Sequence, residues 1–86
     1  MNDFPFLFLT RAGCHLCEDA WPVVRAAAKR ARVRIEAVDI EQRDDLLSRF
    51  VLRIPVVLAP TGRVLAEGRI DDRRSLARAM KDSSPG

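Results

Sequence analysis

Two cysteines three residues apart, in the segment Cys14-His15-Leu16-Cys17, are the residues of this chain best suited to chemistry. Residues at this spacing share one face of a helical turn, which brings the two sulfurs within disulfide distance. At a helix N-terminus, unpaired backbone N–H groups favour a thiolate over a thiol, and the thiolate is the species that attacks disulfides. We therefore predict that Cys14 is the nucleophile and that Cys17, one turn further along, resolves the mixed disulfide.

A single C-x-x-C pair also occurs as half of a zinc or iron–sulfur site. Two cysteines and one histidine are too few for a tetrahedral site within one copy of this chain, so we expect no metal ligands and no bound cofactor. Two alternatives to a redox dithiol stay open. One is a metal or iron–sulfur module in which two chains each contribute Cys14 and Cys17. The other is a redox-inert adaptor that binds a partner through the surface around Ile54 and Pro55.

Two basic residues lie near the predicted nucleophile, His15 between the cysteines and Arg11 three residues before Cys14. His15 could place a cation or a hydrogen-bond donor beside the Cys14 thiolate, or it could be an exposed residue of little influence. Arg11 could place a permanent charge near the same sulfur or near the anionic end of a thiol substrate, or it could be a solvated loop arginine. The aromatic side chains of Phe8 and Trp21 are expected in the core.

Apolar periodicity predicts the elements that position this pair. A nearly continuous apolar run at 4–10 is typical of a buried strand, and a helical pattern follows from His15 to about Ala31 with Pro22 inside it, where we expect a kink rather than an end. The remaining predicted elements are a strand at 33–39, a short helix opened by acids, strands at 54–59 and 64–67, and a last helix capped by Asp71 or Asp72. The order β-α-β-α-β-β-α gives an α/β fold with a four-stranded mixed sheet flanked by helices.

Composition limits the class of protein. The chain has 86 residues, 48% of them hydrophobic and 31% charged, which predicts a single domain over 1–86 with a frayed tail at 83–86. No apolar run approaches the roughly 20 residues that span a bilayer, and the N-terminus lacks the pattern of a secretory signal. Basic residues cluster at the end of the first helix without aromatic residues among them, so a nucleic-acid partner is not expected. We expect a cytoplasmic monomer without a membrane partner.

The segment from Phe6 to Cys17 resembles the redox motif of glutaredoxin-like proteins of the thioredoxin fold. Arg11 stands where glutaredoxins commonly carry a lysine, and Ile54-Pro55 belongs to a segment that resembles their T-V-P motif. The resemblance implies a thioredoxin-like fold and a thiol–disulfide oxidoreductase that reduces protein or glutathione mixed disulfides. It also implies a cis bond before Pro55 and a substrate docked against this loop.

Some positions depart from the family's pattern. Thioredoxins carry a buried aspartate six residues before the first cysteine, where this chain has Phe8. Glutaredoxins hold the glutathione carboxylate with a Gly-Gly pair and an acid, where this chain offers one glycine, Gly68, followed by Arg69 and Asp71. Gly68 and Asp71 are therefore candidate substrate-binding residues, and glutathione is a possible reductant. The small glutaredoxin-like proteins of bacteria, whose substrates are unassigned, fit the pattern better than true glutaredoxins do.

Overall fold

The strands and helices follow one another in the predicted order. The structure, a computed structural model, describes residues 4–83. Its elements are β1 (Phe6–Thr10), α1 (His15–Ala31), β2 (Ile35–Asp39), a 3-10 turn (Ile40–Gln42), α2 (Asp44–Phe50), β3 (Val56–Leu58), β4 (Val64–Glu67) and α3 (Arg73–Asp82). Within this described part of the chain, no helix is both long and apolar enough to cross a membrane.

The four strands form one mixed sheet in the order β2-β1-β3-β4. β1 pairs in parallel with β2 and antiparallel with β3, and β4 pairs antiparallel with β3. The parallel pair is joined by α1, since a parallel connection needs a crossover of this kind. In this register Phe8 of β1 lies between Ala37 of β2 and Val57 of β3. The predicted mixed sheet flanked by helices is confirmed.

Alternating residues of β1 supply two apolar cores, one on each face of the sheet. Phe6 and Phe8 pack with α1 and α3, whereas Leu9 packs with α2 on the opposite face, as expected for a strand with a period of two. Cys17 belongs to the first cluster and is only 3% exposed. The second cysteine is therefore built into the same core that holds α1 against the sheet.

Some element boundaries differ from the prediction for local reasons. β3 begins at Val56 because the Ile54 amide donates to the carbonyl of Phe50 (3.1 Å) and Pro55 has no N–H to give to a ladder. α1 continues through Pro22, so the proline does not end the helix. Asp72, rather than Asp71, caps α3.

Ser83, the first residue of the expected frayed tail, is the C-cap residue of α3. The amide of Ser83 donates to the carbonyls of Ala79 (3.0 Å) and Met80 (3.2 Å). Residues 84–86 lie outside the described part of the chain.

Candidate functional site

A three-residue turn after β1 delivers the first cysteine to the start of α1. Gly13 in this turn has φ +79°, a left-handed conformation that favours glycine over residues with a Cβ. Cys14 follows in an extended conformation (φ −90°, ψ 103°) and is the N-cap residue of α1. Its carbonyl accepts a helical hydrogen bond from the amide of Glu18 (3.1 Å). The turn therefore places the Cys14 side chain against the first, unpaired amides of the helix.

Cys14 and Cys17 form a disulfide, with their Cα atoms 5.2 Å apart. The amide of Cys17 donates to Sγ of Cys14 at 3.1 Å, so the sulfur occupies the acceptor position that a serine or aspartate side chain takes in an ordinary cap. Cys14 is partly exposed while Cys17 is buried. The two sulfurs are therefore unequal, since only the first meets both a backbone donor and solvent.

Arg11 and His15, the two basic residues predicted near the sulfurs, each lie close to a carboxylate. His15 is exposed, and its Nδ1 lies 3.5 Å from Oε2 of Glu18, one turn further along α1. The guanidinium of Arg11 lies 2.7 Å from Oε1 of Glu41, which lies in the 3-10 turn after β2. Arg11 thus adds less net positive charge near Cys14 than a free guanidinium does.

The loop before β3 reaches the same end of the sheet. Leu9 of β1 pairs with Val56, so the peptide between Ile54 and Pro55, which is cis, lies level with the end of β1. The carbonyl of Pro55 accepts a hydrogen bond from the amide of Gly68 (2.8 Å). The amide of Gly68 therefore already has a partner within the protein.

An ion pair fixes the same loop to β4. Nε and Nη2 of Arg53 donate to the two carboxylate oxygens of Glu67 at 2.7 and 3.0 Å, the bidentate geometry that suits arginine. These hydrogen bonds hold the pKa of Glu67 below its ordinary value and raise that of Arg53. Glu67 lies opposite Val56 in the sheet. Its ion pair with Arg53 therefore holds the residue before Ile54 against β4.

The start of α3 does not share a pocket with the cysteines. Asp71 is exposed and lies on a small pocket beside Arg69 and Leu76, which neither cysteine lines. Of the predicted substrate-binding residues, the structure places Arg11 and His15 beside the cysteines and Ile54 and Pro55 at the same end of the sheet. Asp71 belongs to a separate depression.

A second pocket is lined by both cysteines. It has a volume of about 240 Å³, and its lining also includes Phe8, Trp21 and Ala37 of β2, together with the charged residues Arg11 and Glu18. The rings of Phe8 and Trp21 pack with their centroids 4.9 Å apart. Sequence reasoning placed both aromatic side chains in the core, but Trp21 is only partly buried and forms a wall of this pocket. The parallel register of β1 and β2 puts Ala37 beside Phe8 in this pocket, and no local sequence pattern indicates that register.

No cluster within residues 4–83 brings together three or more His, Cys, Asp or Glu side chains that could hold a metal ion. Among the described residues of one chain, the thiol ligands available to a metal ion are therefore those of Cys14 and Cys17. This arrangement can exchange disulfides, because one sulfur is reachable and the other is held next to it.

Comparison with known proteins decides the family. Residues 6–85 match the profile of the Glutaredoxin-like domain (DUF836). The chain belongs to this family. The predicted resemblance to glutaredoxin-like proteins of the thioredoxin fold is confirmed. None of the curated proteins matches the chain.

Solved structures agree with the assignment of this glutaredoxin-like domain. The structural-genomics target protein XcR50 from X. campestris is 32% identical with a TM-score of 0.65, over 93% of this chain and 99% of that one. Protein Ne2328 from Nitrosomonas europaea has a TM-score of 0.69 at 22% identity, over 91% and 92% of the two chains. A malarial protein has a TM-score of 0.66 at 17% identity, over 95% and 98%. The last two show the fold alone, which is thioredoxin-like.

Proposed function

We propose that this glutaredoxin-like domain is a thiol–disulfide oxidoreductase that reduces protein or glutathione mixed disulfides with its Cys14–Cys17 dithiol. The observation that carries the proposal is the position of Cys14. Its sulfur accepts the Cys17 amide at the N-terminus of α1, and in the reduced protein the same donor and the helix dipole stabilise a thiolate. Family membership supports a redox role for the pair.

The proposed reaction has two exchange steps. The Cys14 thiolate attacks one sulfur of the substrate disulfide; the bond to Cys14 forms, the substrate S–S bond breaks, and the first product leaves as a thiolate that takes a proton from solvent. Cys17 then loses its proton and attacks Cys14, which releases the second product thiol and leaves the Cys14–Cys17 disulfide. The substrate gains two electrons and the protein dithiol loses them.

A thiol reductant must then restore the dithiol. We propose glutathione or a protein reductase as the source of these electrons, acting on a monomer in the cytoplasm, where paired cysteines are more often catalytic than structural. Glutathione is a substrate or reductant in this scheme and not a resident cofactor. His15, Arg11 and the Ile54–Pro55 loop would border the incoming disulfide.

Trapping tests the order of the two cysteines. In a Cys17→Ser variant the second step is blocked, so a stable mixed disulfide should accumulate. The substrates are hydroxyethyl disulfide or insulin fragments that have been reduced and then reoxidised. Mass spectrometry should show an increase in the mass of the protein that a reductant reverses. The matched Cys14→Ser variant should accumulate far less, because the buried Cys17 is poorly reachable. Equal trapping by both variants would contradict the assigned nucleophile.

Three further measurements test the proposal against its alternatives. The alkylation rate of reduced Cys14 followed against pH should show a pKa below the ordinary thiol value of about 8.5; a value at or above it would count against the proposal. Reduction of insulin that is lost in Cys14→Ser distinguishes an enzyme from a redox-inert adaptor. Metal analysis of the purified protein addresses the two-chain metal site, since bound zinc or iron in paired chains would favour that alternative.

A further inference from the structure

The scheme above gives no role to the apolar part of the pocket beside the cysteines, which is formed by Phe8, Trp21 and Ala37. It lies on the β2 side of β1, because Ala37 is the parallel register partner of Phe8. The Ile54–Pro55 loop lies on the other side of β1, ahead of β3. The disulfide therefore has two distinct flanks, a backbone loop on one and an apolar pocket on the other.

The lining restricts what the pocket can hold. Arg11 and Glu18 contribute to its lining, but its surface is mostly apolar and the rings of Phe8 and Trp21 form part of its wall, so burial of a hydrocarbon group there is favourable. Its volume of about 240 Å³ is below the roughly 300–1,000 Å³ of sites that enclose a drug-sized ligand. A single large apolar side chain suits this space better than a whole charged tripeptide does.

The position of the sulfurs identifies the occupant. Cys14 and Cys17 form part of the pocket wall, so a group that fills the pocket while exchange takes place must be attached close to the reacting sulfur of the substrate. We infer that this pocket binds a large apolar side chain next to the target cysteine of a protein substrate. The inference rests on the proposed function and selects proteins with apolar residues around the cysteine as the substrate class.

The electron balance is that of the proposed reaction. Cys14 thiolate attacks a cysteine sulfur of the substrate while the neighbouring apolar side chain lies in the pocket; the substrate disulfide breaks and its other half leaves as a thiolate. Cys17 then displaces the bound half, and both substrate cysteines end reduced. The pocket stabilises the non-covalent complex before the first exchange and the mixed disulfide after it. It takes no part in the bond changes.

The test compares two peptide disulfides. The probes are the disulfide-linked dimers of the capped pentapeptides Gly-Leu-Cys-Leu-Gly and Gly-Ala-Cys-Ala-Gly, with hydroxyethyl disulfide as a small reference substrate. For each protein, kcat/KM with a peptide is divided by kcat/KM with hydroxyethyl disulfide. The leucine peptide should be favoured about tenfold, the lower end of what an apolar pocket achieves for small size differences. A wild-type protein that fails to reduce hydroxyethyl disulfide would refute the proposed function itself, whereas an equal rate for both peptides would refute the pocket alone.

A filled pocket should remove the preference. Ala37 is exposed on a strand, so Ala37→Phe can occupy the pocket without entering the core, and the leucine-to-alanine ratio should fall below about twofold. Glu36→Phe adds the same ring to the neighbouring residue, which faces the other side of the sheet and whose carboxylate forms an exposed ion pair with Arg34. This control should keep the wild-type ratio. A preference that survives Ala37→Phe overturns the inference.

Fluorescence provides a readout that leaves the pocket unmutated. Trp21 is the only tryptophan of the chain and lies in the pocket wall. In the Cys17→Ser protein, the mixed disulfide with the leucine peptide should shift the Trp21 emission to the blue relative to the alanine peptide, because leucine displaces water from the indole. Identical spectra for the two mixed disulfides would contradict binding in this pocket.

Discussion

Replacement of Phe50 by leucine measures how firmly α2 and the loop after it are held. The Phe50 side chain is fully buried in the core on the α2 face, with Leu9 and Val56 in the same cluster. The guanidinium of Arg53 lies over its ring at 5.0 Å. The backbone carbonyl of Phe50 accepts hydrogen bonds from the amides of Arg53 (2.8 Å) and Ile54 (3.1 Å). This one residue therefore supports the segment that leads into Pro55.

The expected loss follows from ring burial. Leucine has three fewer carbon groups than phenylalanine, and at about 0.8 kcal/mol for each buried group the change costs about 2 kcal/mol, with any residual cavity adding to it. Folded domains of this length have about 4–13 kcal/mol in total, so the loss is large but leaves the variant folded. With a urea slope of about 1 kcal/mol/M, the unfolding midpoint of Phe50→Leu should fall by about 2 M.

The assay is equilibrium unfolding in urea followed by Trp21 fluorescence, with all proteins in the disulfide form. Leu52→Ala is the control, because Leu52 is 95% exposed two residues away and its truncation should change the free energy of unfolding by less than about 0.5 kcal/mol. If Phe50→Leu loses less than about 1 kcal/mol at an unchanged urea slope, or no more than Leu52→Ala, Phe50 is not the close-packed anchor described above.

Three further changes probe the ends of the site. The Asp72 carboxylate accepts the Ser75 amide, which holds the pKa of Asp72 below its ordinary value; its stabilisation is therefore present above about pH 4 and lost as pH falls through the lowered pKa. Asparagine at position 72 can still cap α3. The urea unfolding midpoint of the wild type minus that of Asp72→Asn should therefore fall between pH 5 and 2. A difference that stays constant over this range would contradict the assignment. Gly68→Ala should cost about 1–2 kcal/mol through its φ of +73°, and Gly68→Asn less; equal losses in urea unfolding would point to another cause. Glu41→Gln should free Arg11 and raise kcat/KM for glutathione disulfide about two- to fivefold at low salt, with no gain for neutral hydroxyethyl disulfide. A gain that persists when Arg11→Gln is added would refute the pairing.

Local patterns predicted the cysteine end of the site well. The boundaries of α1 at His15 and Ala31 coincide with the expected ones, because apolar spacing and the preceding glycine turn are both encoded within a few residues. The capping position of Cys14 follows from the same local pattern. The order of the elements along the chain and the mixed sheet were also predicted, since a βαβ unit and a hairpin leave few ways to build a four-stranded sheet.

Contacts between residues distant in sequence could not be predicted in the same way. The partner of Arg11 is Glu41, and the partner of Arg53 is Glu67; each pair depends on where a loop passes a neighbouring strand. Periodicity describes which face of an element is buried, but it carries no information about which exposed charge lies opposite another. The pocket wall at Trp21 was missed for a related reason, because the exposed part of a large aromatic ring depends on residues distant in sequence, such as Ala37, that line the same pocket.

The partners found at the site bear on what selects a substrate. The guanidinium of Arg11 and the amide of Gly68 are two groups that could bind an anionic thiol substrate. Both already have partners, in Glu41 and in the carbonyl of Pro55, so an anionic substrate must compete with them. An apolar side chain in the pocket beside Trp21 can bury hydrocarbon surface without replacing either of these partners, and that burial is favourable. For the dithiol chemistry proposed here, apolar contact should therefore contribute more to substrate choice than charge, and kcat/KM for apolar peptide disulfides should change little with ionic strength.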